Sequence, residues 1–157
     1  MNNGQAGVLL LIAYGNSLRR DDGAGLALAE QLAALWQQAG IAVRHLATQQ
    51  LTPEIALEIS APDVTHVVFV DTRSSNINTV KLQPLVPDEP GRRLGHHLTP
   101  ESLLFYAGRL YNRCPPAWLL TIPGTDFGFG EEFSEKTAIH LRQTPLIARE
   151  VYSQLGQ

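Results

Sequence analysis

The sequence predicts a three-layer α/β/α sandwich built on a mostly parallel, twisted sheet, folded as a single domain over residues 1–157. Three observations carry that prediction. Apolar runs such as Val8 to Tyr14 and Val67 to Val70 lack alternation, as strands buried on both faces do. Stretches with a helical apolar period lie between them, and glycine or proline punctuates the joins. Strands alternating with helices imply right-handed crossovers and helices on both faces of one sheet. A chain of 157 residues, 44% of them hydrophobic, can bury one such core without disulfides or a structural metal.

Taken in order, Val8 to Tyr14 is the first strand and ends at Gly15-Asn16. After a polar loop through Asp22, Leu28, Leu32, Leu35 and Trp36 mark one face of a helix, which Gly40 closes. Ile41 to Leu46 is a short second strand. Thr52-Pro53-Glu54 opens a short helix with a threonine cap and a proline in its first turn. Val67 to Val70 is a central strand that ends at Asp71, placing a carboxylate at its carboxyl tip. Val80 to Leu85 is a further strand, followed by an irregular loop containing Pro84, Pro87, Pro90 and Gly91. Thr99-Pro100-Glu101 starts a helix whose apolar face carries Leu103, Ala107, Leu110, Tyr111 and Cys114, which places Cys114 in the core. Ala117 to Ile122 is the last buried strand, and a glycine-rich loop, Pro123 to Gly130, follows it. Ser134 caps a final helical stretch to Leu155 that Pro145 must kink or split.

Composition excludes several classes of function. The net charge is −3, with no basic block, so no nucleic-acid partner is expected. No apolar run approaches the ~20 residues of a membrane span, and no signal peptide is recognisable, so no membrane segment is expected. The single cysteine excludes an intramolecular disulfide framework and suits a reducing cytoplasm, which is the expected location. Ten of the 12 basic residues are arginine, a bias that suits carboxylate or peptide recognition but also follows from a GC-rich genome.

In an open parallel sheet, ligands bind beyond the carboxyl ends of the strands. That rim receives Tyr14-Gly-Asn-Ser-Leu-Arg-Arg-Asp-Asp-Gly-Ala-Gly25 after the first strand, Asp71 after the central strand, and His96 with His97 in the loop entering the third helix. The glycine spacing matches neither the dinucleotide fingerprint nor the P-loop, and Asp21-Asp22 would repel phosphate. One of the two aspartates is expected to cap the following helix, and Asp21 is the better placed, which frees Asp22 for the rim. Taken singly, Asp71 and each histidine have bland readings as loop-bonded or solvated groups. Together, two carboxylates and an imidazole form a ligand set for a borderline divalent ion, with positions left open for water or substrate. No nucleophile-elbow serine is present, and Cys114 has no nearby base.

The stretch Gly15 to Gly25 on a strand-to-helix turn closely resembles the N-terminal signature of the nickel–iron hydrogenase maturation endopeptidases. The resemblance spans nearly the whole chain. Phe69-Val-Asp71 looks like that family's central strand, His96-His-Leu-Thr-Pro its histidine loop, and Phe127 to Ser134 its glycine-rich approach to the last helix. The resemblance implies a phosphorylase/hydrolase-like sandwich and a protease that removes the C-terminal peptide of a hydrogenase large-subunit precursor once nickel is installed. Carried over motif by motif, its metal-contacting residues are Asp22, Asp71 and His96, and these are also the expected catalytic residues. The nickel is implied to arrive with the precursor, zinc or cadmium can substitute in crystals, and the protein is expected to act as a monomer.

His96 is preferred to His97 because neighbouring side chains on an extended approach point to opposite sides. Gly95 also lets the chain bend at His96, and the His-x-Leu-x-Pro pattern selects it. Two departures from the family pattern stand out: Ala13 where a glycine is usual, and Thr72-Arg-Ser-Ser-Asn-Ile-Asn78 where a glycine-bearing stretch is usual. The second bears on substrate choice. The alternatives are a non-catalytic module that binds the nickel-loaded precursor and a small-molecule metal-dependent hydrolase.

Overall fold

The computed structural model of the chain describes residues 7–91 and 98–156. The elements run β1 (Val8–Tyr14), a 3-10 turn (Arg20–Gly23), α1 (Ala24–Gln38), β2 (Val43–Thr48), α2 (Ile55–Ile59) and β3 (Val64–Ser74). They continue with β4 (Lys81–Leu85), α3 (Pro100–Tyr111), β5 (Ala117–Gly124), α4 (Glu135–Arg142) and α5 (Thr144–Gln154). The sheet order is β2-β1-β3-β5-β4. All neighbours pair in parallel except β4, which runs antiparallel to β5 at one edge. Pro84 is tolerated in β4 because an edge strand needs ladder bonds on one side only.

Because β1, β3 and β5 are covered on both faces, their residues divide by parity between two cores. On one face Leu9, Leu11, Ala13, Val68, Val70, Leu120 and Ile122 pack against α1, α4 and α5, chiefly through Leu28, Leu32, Trp36, Leu141 and Val151. On the other, Leu10, Ile12, Phe69 and Leu119 meet Ile55 and Ile59 of α2 and Leu103, Leu104 and Ala107 of α3. The predicted three-layer sandwich is therefore present, and among the described residues no helix is long and apolar enough to cross a membrane.

Several local expectations hold for stated reasons. Thr99 caps α3 and forms a reciprocal box with Ser102, with Pro100 in the first turn. Ser134 caps α4, and the helical stretch divides between Arg142 and Thr144, ahead of Pro145. Others are corrected. The second strand lies two residues later than 41–46. Thr52 caps nothing with its side chain; α2 begins at Ile55, whose N–H bonds the Thr52 carbonyl. Cys114 is exposed rather than core, because α3 ends at Tyr111 and Asn112 takes a left-handed turn (φ 58°) that carries the chain off the helix face. Leu110 and Tyr111, in the last turn of α3, are exposed as well. Finally, β3 does not stop at Asp71 but continues to Ser74, paired with Pro123 and Gly124 of β5.

Candidate functional site

Strand parity also positions the site. Tyr14 follows Leu10 and Ile12 on the face that carries α2 and α3, and Asp71 follows Phe69 on that same face of the adjacent strand. Asp71 is mostly buried, with 18% of its side chain exposed, and its Oδ2 accepts from Arg73 Nε at 3.3 Å. Burial pushes its carboxyl above the ordinary range; Arg73 and a hydrogen bond from Tyr14 pull the other way, and the charge of Asp22 adds to the rise. The Tyr14 hydroxyl is itself held strongly protonated, first by burial and then by the Asp71 charge. Tyr14 is therefore a hydrogen-bond donor that orients the carboxylate.

Asp22 arrives from the loop after β1. Its Oδ2 accepts the Asn16 N–H at 2.7 Å, which closes the loop over six residues. Gly15 makes this closure possible: at φ 152° any Cβ would collide with the Asp22 carbonyl oxygen. The start of α1 is pinned to β3 at the point where Asp71 leaves the core, because Gly25 N–H donates to Thr72 Oγ1 at 2.8 Å. A Cβ on Gly25 would stand 3.2 Å from the Asp71 backbone, so the two carboxylate-bearing segments are in close contact.

Asp21 does not cap α1 as expected. The helix cap is Gly23, which offers no side chain. Asp21 is instead fully buried and accepts from Thr125 N (2.8 Å), Asp126 N (2.9 Å), Ser134 N (2.8 Å) and Ser134 Oγ (2.6 Å). Burial opposes its ionisation, but the Ser134 hydroxyl and the three backbone donors outweigh it and lower the pKa to about 2. Asp21 thus anchors the glycine-rich 125–134 loop to the loop that carries Asp22. Arg20 sits between them in a left-handed conformation (φ 47°), held by its N–H on the Gly130 carbonyl (2.8 Å) and by an ion pair with Asp126 (3.4 Å). This turn sends one aspartate into the core and the next toward Asp71.

The structure brings Asp22 and Asp71 together; His96 and His97 lie outside the described residues, as does the choice between them. Among the described residues no three metal-binding side chains gather. The pair supplies two carboxylates whose mutual repulsion a cation would relieve, which suits an oxygen-rich share of a divalent site. Sequence reasoning put Tyr14 on the rim and Thr72-Arg73 in the divergent 72–78 stretch but missed the individual roles of all three. Arg73 was the most findable, since a residue two positions after Asp71 on a strand must share its face. Ala13 is buried in the sheet, so the departure there is a single methyl group in a close-packed core.

No protein-family model and no curated protein sequence matches the chain. Solved structures do. A [NiFe] hydrogenase maturation protease HycI from Thermococcus kodakarensis KOD1 superposes with a TM-score of 0.68 at 21% identity, over 94% of this chain and 93% of that one. The endopeptidase HycI from Escherichia coli gives 0.60 at 21% identity, over 94% and 88%. The hydrogenase maturating endopeptidase HybD from E. coli gives 0.61 at 10%, over 94% and 91%. At these identities the likeness establishes the fold.

Proposed function

We propose that the chain is an endopeptidase that removes a C-terminal peptide from a nickel–iron hydrogenase large-subunit precursor, and that nickel already in the precursor is what it recognises. The observation that carries this reading is the convergence of Asp22, from the loop after β1, and Asp71, from the paired end of β3, at the carboxyl rim of a fold shared with proteins named as maturation proteases. The metal is cargo of the substrate, and the chain's own part is to present ligands to it. Asp22 has Oδ2 fixed by the Asn16 N–H and Oδ1 unengaged among the described residues, a carboxylate held in one orientation with one oxygen to offer. Asp71 is oriented by Tyr14 and Arg73, and its burial raises its affinity for a proton. His96 is the proposed third ligand. Held by these residues, a divalent ion would supply Lewis-acid polarisation of a carbonyl or a bound water, and a rim carboxylate would serve as the base.

The test mixes the protein with nickel-loaded and nickel-free precursor and follows peptide release by mass. Release only from the loaded precursor is the expected result. Binding without release would overturn the peptidase reading in favour of a recognition module, and hydrolysis of small esters or amides without precursor processing would overturn it in favour of a small-molecule hydrolase.

A further inference from the structure

Next to the carboxylate pair, at the ends of β3, β5 and β4, a cleft of about 200 Å³ opens among Arg73, Ser74, Ile77, Lys81, Gln83 and Thr121. Strand register places its charged members on the Asp71 face. Arg73 is two residues beyond Asp71, Lys81 pairs with Thr121, and Thr121 is two residues beyond Leu119, which belongs to that face's core. Among the described residues no aspartate or glutamate lines the cleft. Lys81 makes no ion pair among the described residues, and Arg73 engages Asp71 through Nε and also hydrogen-bonds the Tyr14 hydroxyl, which leaves the rest of its five N–H donors for another acceptor. With Arg73 balanced by Asp71, Lys81 gives this cleft a net positive charge on a chain whose net charge is −3.

The spacing of the two cations specifies the ligand further. One strand, β5, lies between those that carry them. Two inter-strand steps of ~4.8 Å set them about 10 Å apart sideways, and Lys81 registers through Thr121 with Asp71, ~7 Å along the strand from Arg73, so their backbones stand about 12 Å apart. Side chains two apart on an extended peptide project to one side ~7 Å from each other, and the flexible stems of Arg and Lys cover the difference. The outer wall is braced: Ile77 N–H donates to Ser75 Oγ at 3.0 Å, and Asn78 Oδ1 lies 2.8 Å from His140 Nε2 of α4.

We propose that this cleft is a subsite for an acidic, extended peptide segment, whose carboxylate side chains two residues apart engage Arg73 and Lys81. The inference rests on the peptidase reading and deepens it by naming the charge class of the segment lying beside Asp71. It also gives the unusual 72–78 stretch a role, because that stretch supplies Arg73 and the wall.

The test uses three labelled synthetic peptides in a fluorescence-anisotropy titration of the intact protein. One carries two glutamates spaced by one residue and an amidated C-terminus; the second replaces both glutamates with glutamine; the third is the glutamine peptide with a free α-carboxylate. The glutamate peptide should bind at least about tenfold tighter than the amidated glutamine peptide, the scale of one charge-assisted hydrogen bond, and should weaken as salt is raised. Lys81→Gln should remove about that tenfold, Lys81→Arg should restore it, and both variants should melt with the wild type because Lys81 is exposed on an edge strand. Equal binding of the glutamate and glutamine peptides, or no effect of Lys81→Gln, would overturn the subsite. So would equally tight binding of the free-acid glutamine peptide, which would make the chain terminus the ligand. Binding is read here without cleavage, so a failed titration leaves precursor processing to stand on its own assay. Intact titration with no processing would count against the peptidase reading alone.

Discussion

Replacing Asp21 and Asp22 in turn separates a structural from a functional carboxylate at adjacent positions. Asp21 is buried and takes four short hydrogen bonds from Thr125, Asp126 and Ser134. A carboxyl whose pKa drops from 3.8 to about 2 on folding contributes ~2 kcal/mol to stability near neutral pH. Asp21→Asn removes that charge and turns an amide donor toward groups that are themselves donors, which adds ~1 kcal/mol or more for a buried group left unsatisfied. The expected loss is about 3 kcal/mol, or a Tm lower by roughly 6–12 °C for a chain of this length. Asp22→Asn keeps an oxygen for the Asn16 N–H, so it should cost less than about 1 kcal/mol and yet abolish processing. Urea and thermal unfolding give the stabilities, and precursor processing gives the activity. The pH dependence supplies a second check. Because the folded pKa of Asp21 is the lower one, its stabilisation is complete above about pH 4 and is lost as pH falls toward 2, so the gap between wild type and Asp21→Asn should narrow only in that window. If Asp21→Asn unfolds within 1 kcal/mol of wild type while Asp22→Asn is the unstable variant, the assignment of the two carboxylates is reversed and the reasoning fails.

Further outcomes follow from other residues. Asp71→Ala should eliminate processing while the fold persists, and a variant that still processes precursor within a few-fold of the wild-type rate would remove Asp71 from the site. A structure soaked with Ni²⁺, Zn²⁺ or Cd²⁺ should show a His96 imidazole nitrogen about 2.0–2.3 Å from the ion, with His97 turned away; coordination by His97 would refute the choice of histidine and leave the carboxylate pair intact. His45, on edge strand β2, has Nε2 buried without a hydrogen-bond partner among the described residues, and burial holds its pKa below 6.5. Its neutral form therefore favours the folded state above about pH 6.5, and stability should decline as pH falls below that value. The decline should flatten in His45→Leu, and identical unfolding profiles for the two proteins between pH 7 and 5 would exclude this source.

The parts of the fold legible in the sequence are those governed by short-range pattern. Val8 to Tyr14 reads as a doubly buried strand because every side chain must be apolar when both faces are covered, and β1 has those bounds. Thr99-Pro100 likewise announces α3 because cap and first-turn chemistry are local. The errors fall where distant residues decide. Periodicity alone carries the α3 stripe on to Cys114, but the left-handed turn at Asn112 redirects the chain before Cys114 is reached. Asp71 looks like a strand end because a charged residue follows four apolar ones, yet the ladder to Pro123 and Gly124 extends β3 past it. The carboxylate is thereby held within a paired strand, a firmer mount than a loop tip would provide.

The Asp21-Asp22 pair shows the same limit at the site. From sequence both are acids at the start of a helix, and a dipole argument cannot tell them apart, since either carboxylate would favour the positive end. What separates them is the 125–134 loop, more than a hundred residues away, which closes over Asp21 with three backbone N–H groups and the Ser134 hydroxyl. The same residue that caps α4 therefore also holds Asp21, so α4 and the loop that carries Asp22 share one anchor. Arg73 makes a comparable link on the other side of the site. It balances Asp71 and lines the cleft reaching to Lys81, so the group that neutralises the carboxylate in the free protein also stands where an acidic peptide would contact the chain. An acidic segment that engages the terminal nitrogens of Arg73 competes with Asp71 for the same guanidinium. Its arrival would loosen the Arg73–Asp71 pair and leave the Asp71 carboxylate with more unbalanced charge for a cation delivered by the substrate. If the precursor carries the metal as proposed, peptide recognition and metal recognition would be coupled through a single side chain, two residues beyond Asp71 on the same face of β3.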